Sequence, residues 1–282
     1  MAVEWFQWTI ILFLLLLPVL YELNNTFKYY AKFALYFILN MIISGLIAIF
    51  LIPRVIMGAR NPENYKYPAF VVNLERRLFG LSIDVRGREN LEAESPCIIV
   101  INHQSSLDLF GLMEIWPKRC SVLAKKSLMY MGPLGLLMWL LGAVFVDRVN
   151  HSKAVSTLSE ASKHIKKEKI SIIIFPEGTR NHEPTMLPFK KGAFHLAVLS
   201  QIPVVPVVFS SYSDFYNKKE KNFSAGKFII TCLPPISTEG KKLDEVSEMA
   251  ESVREQMMEV FNQTSSEGNQ TKSTQAKLVN NQ

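Results

Sequence analysis

Apolar positions along this chain fall into long uncharged runs, short β-branched runs and spaced helical stripes, and each predicts a different element. From Trp5 to Leu20 only Gln7, Thr9 and Pro18 interrupt an apolar stretch, and from Phe33 to Ile52 no charge occurs before Pro53-Arg54. A helix needs about 20 apolar residues to cross a hydrocarbon core of roughly 30 Å, so the second run has the length of a span. Glu4 precedes the first run and no small-residue cleavage site follows it, which predicts an uncleaved anchor. Two spans return the chain to the side it started from. Arg54, Arg60, Lys66, Arg76 and Arg77 outweigh Lys28 and Lys32 of the intervening loop and place the main domain in the cytosol. Trp5, Trp8, Tyr21, Tyr29 and Tyr30 favour headgroup depth, so an interfacial first segment is the alternative to a spanning one.

The short runs predict strands at Leu81 to Val85, Cys97 to Ile101, Ser121 to Ala124, Ala143 to Val146, Ile170 to Phe175, Val204 to Phe209 and Lys227 to Thr231. Between and after them, helices are expected at Ser105 to Ile115, Lys153 to Lys167, Lys191 to Ser200 and Leu243 to Phe261. In the last, Val246, Met249, Val253, Met257 and Val260 form one apolar face. A third uncharged stretch, Ser127 to Val146, contains Gly132-Pro133, Gly135 and Gly142, and reads as a helix and a buried strand of the folded domain. Its apolar face is free to rest in the cytosolic leaflet. The pattern divides the chain into a membrane anchor (1–55), an α/β domain (56–262) and a polar, disordered tail (263–282). Pro203 and Pro206 around Val204-Val205 suggest an edge or bulged strand.

Composition narrows the classes. Of 282 residues, 49% are hydrophobic, and the net charge of +6 suits anionic lipid or phosphorylated substrates. Lys and Arg form no aromatic-interleaved patch, which argues against nucleic acid. Cys97, Cys120 and Cys232 are widely separated, as buried reduced thiols are. His151, His164, His182 and His195 are not spaced with other ligands, so no metal cofactor is expected; His195 reads as a core or interface histidine. No G-x-S-x-G elbow occurs, and an acyl-serine intermediate is disfavoured.

Candidate chemistry gathers at strand ends. The run Ile98 to Ile101 ends on Asn102-His103 and meets Ser105 and Ser106, which favour helix starts. His103 then stands at the carboxyl end of a strand, where α/β sheets bind ligands. Asp108, five residues on, can fold back to hold one imidazole nitrogen and leave the other free as a base. A second strand, Ile172 to Phe175, delivers Pro176-Glu177-Gly178-Thr179-Arg180. Gly178 permits close backbone approach, and the Arg180 guanidinium can hold a phosphate bidentately. Glu177 would repel a phosphate, so pairing with Arg180 or another cation is its expected role. Lys125 follows a third strand, where a solvated lysine at a strand end is the plain reading. In Gly142-Ala143-Val144-Phe145-Val146-Asp147-Arg148, Arg148 either helps bind the acceptor or salt-bridges Asp147 or Glu177.

NHQSSLD (102–108) resembles the first motif of the glycerolipid acyltransferases, and in particular of the 1-acyl-glycerol-3-phosphate acyltransferases of animal alpha and beta type. Gly142, Phe145 and Arg148 match the second motif, FPEGTR (175–180) the third, and IPVVPV (202–207) the fourth. The resemblance implies a glycerolipid-acyltransferase-like αβα domain with a mixed sheet behind two hydrophobic membrane helices. It implies His103 and Asp108 as the catalytic general-base dyad, and Lys125 with Glu177, Gly178, Thr179 and Arg180 at the acceptor phosphate. The implied reaction moves an acyl group from acyl-CoA, a co-substrate, to the 2-hydroxyl of lysophosphatidic acid, giving phosphatidic acid for phospholipid and triacylglycerol synthesis. The bilayer is the implied partner, and the endoplasmic reticulum, active site facing the cytosol, the implied location. The rivals are an acyltransferase for glycerol 3-phosphate or another lysophospholipid, and a non-catalytic lipid-binding or membrane-shaping protein, against which the intact His103 and Asp108 argue.

Overall fold

The computed structural model describes residues 2–57, 61–92, 95–146, 160–163 and 165–279. Two helices, α1 (Ala2–Leu23) and α2 (Asn25–Met57), open the chain. Asn24 separates them, its Oδ1 accepting the Phe27 N–H at 3.0 Å as a helix cap does. After α3 (Lys66–Leu78) come β1 (Leu81–Arg86), β2 (Ile98–Ile101), α4 (Asp108–Ile115), β3 (Cys120–Lys125), α5 (Gly132–Leu140), β4 (Val144–Val146) and β5 (Ser171–Ile174). Then follow α6 (Gly192–Ser200), β6 (Val204–Phe209), β7 (Tyr216–Asn217), β8 (Asn222–Phe223), β9 (Gly226–Cys232) and α7 (Val246–Val279).

Seven strands form one mixed sheet in the order β1-β9-β6-β2-β5-β3-β4, with β7 and β8 a separate hairpin. Neighbours in the large sheet run parallel except β6 and β9, which are antiparallel. Strand β2 lies between β5 and β6, and its four residues are buried. Alternate side chains serve opposite layers. Ile99 and Ile101 join Phe110 and Leu137 on one face, while Ile98 and Val100 join Phe194, Leu196 and Met257 on the other. Burial on both faces explains why these strands are unbroken apolar runs.

Three expectations are corrected and a fourth holds in part. The helix after β2 begins at Asp108 rather than Ser105, and its cap position, Leu107, makes no side-chain cap. The Asp108 carboxylate takes the Gln104 and Ser105 N–H groups itself, which holds residues 104–107 in a loop. Strand β6 is interior, not an edge. The irregularity lies opposite Pro206, where Leu233 N–H donates to Pro206 O, and the partner chain has one extra residue between the pairs Val207↔Cys232 and Val204↔Ile236. The tail does not begin at 263, because α7 continues through buried Thr264, and Glu267 pairs with Arg86 at 2.8 Å. Of the helix expected over Lys153 to Lys167, residues 151–159 and 164 lie outside the described residues; 160–163 and 165–168 are helical. Helix α3 and the β7–β8 hairpin were not anticipated by the pattern.

The expectation that holds in part concerns the anchor. Among the described residues one helix, Asn25–Ile56, is long and apolar enough to cross a membrane, where two were expected. It does not stand clear of the domain. Tyr29, Tyr36, Asn40, Ser44, Ile47, Ala48 and Leu51 form a buried stripe, and the apolar ones share a core with Ile99, Phe110 and Leu137. Lys32 Nζ donates to Phe223 O at 2.7 Å near one end of the helix, and Arg54 to the Tyr67 hydroxyl at 2.7 Å near the other. The opposite stripe, Leu35, Ile38, Ile42, Leu46 and Ile49, is apolar and exposed.

Midway along α2, Asn40 Nδ2 lies 3.0 Å from each carboxylate oxygen of Glu75 on α3. Desolvation pushes the Glu75 carboxyl up to about 7, partly offset by the Asn40 hydrogen bond. An acid raised in the folded state leaves the unfolded chain ionised first. Folding is therefore penalised increasingly as pH rises from the ordinary glutamate value of about 4.3 toward 7, and the full penalty remains above that. Glu75→Gln keeps an acceptor for Asn40 and removes the titration. Its thermal midpoint, followed in detergent by circular dichroism, is expected to exceed that of the wild type at pH 8 by roughly 4 to 8 °C, for about 2 kcal/mol. The gap should close toward pH 5; an equal gap at both pH values would refute the assignment.

Candidate active site

The sheet order sets β2, β5 and β3 side by side and parallel, so the turns that leave their carboxyl ends share one edge. With strands about 4.8 Å apart, the carboxyl ends of β2, β5 and β3 lie within two strand spacings, and His103, the segment Glu177 to Arg180 and Lys125 leave from those ends.

His103 Nδ1 lies 2.6 Å from Asp108 Oδ2, and the Asp108 side chain is 2% exposed. The same Oδ2 accepts the Gln104 N–H at 2.9 Å, and Oδ1 accepts that of Ser105 at 3.1 Å. Three donors thus surround one buried carboxylate, which is how a desolvated charge is tolerated. The imidazole stacks on Phe175 with centroids 4.1 Å apart. Its plane is set by the aromatic ring and its rotation by the carboxylate. Among the described residues no hydrogen bond engages Nε2, and the half-buried ring leaves that nitrogen for a ligand.

Glu177 does not pair with Arg180. Its buried carboxylate accepts the His103 N–H at 2.8 Å on Oε1 and the Leu187 N–H at 2.9 Å on Oε2. Burial raises its pKa, and these two backbone bonds counter the shift. On the other side of His103, the Asn181 N–H donates to His103 O at 2.8 Å. The two motifs are therefore joined backbone to backbone, with Glu177 gripping the amide of His103 and Asn181 its carbonyl. Between them, Gly178 sits at φ +71°, left-handed backbone that suits glycine.

Thr179 and Arg180, next in the chain, are exposed, as is Lys125. Among the described residues neither Lys125 nor Arg180 forms an ion pair. Gly142, at φ +83°, turns the chain into β4, its carbonyl accepting the Ser121 hydroxyl at 2.8 Å. Phe145 lies half-buried in β4 opposite Ala124. Arg148 lies outside the described residues. His195 is half-exposed on α6, with its pKa lowered by burial and by Lys191. The N–H groups after His103 are largely committed, those of Gln104 and Ser105 to Asp108 and that of Leu107 to Ser105 Oγ.

Several supporting residues escaped the sequence reading. Asn102 exchanges two hydrogen bonds with the Phe209 backbone at 2.8 and 2.9 Å, like a strand residue made from a side chain. Gln104 Nε2 donates to Phe209 O and Ser210 O, while its Oε1 accepts the Tyr212 N–H at 3.2 Å. From α2, the Tyr36 hydroxyl donates to Ser106 O at 2.7 Å. Buried Tyr212 has its pKa held well above the usual value, by burial first and the Asp108 charge second. Polar residues flanking His103 were the available signal, but their partners lie about a hundred residues away in sequence.

An acyltransferase family model matches residues 82–210 of this chain. The 1-acyl-sn-glycerol-3-phosphate acyltransferase alpha of Homo sapiens is 43% identical over 253 residues, covering 90% of this chain and 88% of that protein. The beta protein of Homo sapiens is 40% identical over 248 residues, covering 88% of each. The crystal structure of the 1-acyl-sn-glycerophosphate (LPA) acyltransferase PlsC from Thermotoga maritima superposes with a TM-score of 0.62 at 24% identity, covering 85% of this chain and 95% of that one; at that identity the likeness concerns the fold. The likeness to the alpha and beta proteins spans nearly nine-tenths of both chains, and the chain belongs to the 1-acyl-sn-glycerol-3-phosphate acyltransferase family.

Proposed function

We propose that the protein transfers a fatty acyl group from acyl-CoA to the 2-hydroxyl of 1-acyl-sn-glycerol 3-phosphate, producing phosphatidic acid and free coenzyme A. One observation carries this reading. A histidine oriented by a buried carboxylate is fastened, through its own backbone, to the loop that presents Arg180. His103 Nε2 takes the hydroxyl proton as the oxygen attacks the thioester carbonyl, and Asp108 stabilises the imidazolium that forms. When the tetrahedral intermediate collapses, the C–S bond breaks and the proton passes from His103 to the departing thiolate. Arg180 and Lys125 hold the acceptor phosphate, so that the hydroxyl is presented beside Nε2. Orientation of this kind contributes several kcal/mol, up to roughly 7 to 11 in good geometry. Glu177 acts on the backbone and never meets the phosphate.

The product and the acceptor carry long chains, and the exposed apolar stripe of α2 supports a seat in the bilayer. In this proposal α1 and α2 together form the anchor, lipid covers the outer stripe of α2, and the catalytic edge faces the cytosol at the endoplasmic reticulum. Tyr36, which touches the loop after His103, brings that edge to the depth of the acceptor's headgroup.

Purified protein in vesicles, assayed with acyl-CoA and lysophosphatidic acid, tests the reaction. His103→Ala is expected to lower kcat by roughly 10³-fold or more. Arg180→Ala should raise the KM for the acceptor by roughly 10- to 100-fold, with a smaller effect on kcat. Acyl transfer confined to a zwitterionic lysolipid would refute the phosphate clamp, and undiminished transfer by His103→Ala would refute the base.

Glu177→Gln places an amide where two N–H groups need acceptors, so one donor faces another. A fall in kcat of roughly 10- to 100-fold with the fold retained by circular dichroism is expected. Wild-type kcat in that variant would show that the grip on the His103 amide is dispensable.

A further inference from the structure

Lys190 lies beyond the third motif, FPEGTR, yet its side chain crosses the glycine of that motif, Gly178. A Cβ placed on Gly178 would stand 2.7 Å from Lys190 Nζ, 2.8 Å from Cε and 2.9 Å from Cδ. This is a long contact along the stem, made possible by the missing side chain at 178. Its backbone is fixed there as well. Lys190 N–H donates to Pro176 O at 2.8 Å, and the preceding residues are held by Glu177 Oε2 on the Leu187 N–H. From α7, Arg254 donates to Met186 O at 3.2 Å and Leu187 O at 3.3 Å.

What the ammonium lacks is a carboxylate. Among the described residues Lys190 forms no ion pair, whereas Arg254 pairs with Glu251 at 2.7 Å. Glu177, the acid of the same turn, has given both oxygens to backbone N–H groups. Ordering a lysine side chain costs rotamer freedom. A charge laid along the turn that presents Arg180, exposed and unneutralised, is arranged for an anion that arrives from outside.

A phosphate monoester carries a charge of about −1.5 to −2 near pH 7 and offers three oxygens. A guanidinium engages two oxygens in a plane, and an ammonium, a compact charge with three donors, suits the one that remains. We propose that Lys190 binds the phosphate monoester of the acceptor together with Arg180 and Lys125. The proposal rests on the acceptor reading given above and adds a third cation to it.

The test uses the full chain in vesicles and compares wild type, Lys190→Met and Lys190→Arg, varying acceptor and acyl-CoA separately. Methionine preserves the stem over Gly178 and removes the charge. Lys190→Met is expected to raise the KM for lysophosphatidic acid roughly tenfold or more, with kcat within about threefold and the KM for acyl-CoA unchanged. Lys190→Arg should restore most of the loss. With an acceptor whose phosphate bears a methyl ester, and so a single charge, the difference between wild type and Lys190→Met should shrink. An unchanged acceptor KM in Lys190→Met overturns the proposal. So does a rise in the acyl-CoA KM alone, which would assign the ammonium to the phosphates of coenzyme A, or an equal loss on both acceptors, which would mark a structural role. If the wild type does not acylate lysophosphatidic acid at all, the acceptor reading itself fails before any substitution at 190 is compared.

Discussion

The buried carboxylate of Asp108 is the constraint around which the rest is arranged. It receives three hydrogen bonds, one from the imidazole and two from the chain that links His103 to its own helix. An ionised acid at 1% exposure is tolerable only when its oxygens are satisfied, so the loop adopts the shape that satisfies them. Loop shape and ring orientation are then one property rather than two. The helix starts only at Asp108, because the loop before it is shaped by the bonds from the Gln104 and Ser105 N–H groups to that carboxylate.

A second acid repeats the device across the sheet. Glu177 holds the His103 amide and the Leu187 amide, and so sets the spacing between the histidine loop, the arginine loop and the segment that carries Lys190. Both acids at the edge thus face inward to histidine and backbone. Lys125 and Arg180 project outward without a carboxylate among the described residues. This separation keeps the outer charge positive, which on the function proposed above suits a dianionic substrate.

Much of this was legible from residue order. Seven apolar runs predicted seven strands of the large sheet, because a strand covered on both faces must be continuously apolar, and that pattern survives any change of neighbours. The His103–Asp108 contact was legible because it is local. The role of Glu177 was not, since an acid beside an arginine suggests an ion pair, while its partners are backbone groups, which carry no signature of their own. Pro203 and Pro206 implied an edge or a bulged strand, yet their strand is interior and the bulge lies in the partner chain opposite Pro206. Helix α3 places Phe70, Leu74 and Leu78 on its exposed side, so its apolar stripe does not mark a core face in the ordinary way.

The second hydrophobic helix shows why length and hydropathy describe a membrane segment incompletely. A free span has lipid on every side, and Tyr36, Asn40 and Ser44 would be costly there. In this fold those polar groups face the domain, where the Ser106 carbonyl receives the Tyr36 hydroxyl and the Glu75 carboxyl receives the Asn40 amide. One helix therefore carries two boundaries, an apolar stripe outward and a partly polar stripe against the catalytic layer. An amphiphile with a phosphate at one end and a hydrocarbon chain at the other needs those two surfaces side by side. The distance between them is no more than the width of a helix, about 10 Å. On the function proposed above, the acceptor's hydroxyl lies between its charged and its apolar ends, so the place that satisfies both ends would also be the place where it meets the imidazole.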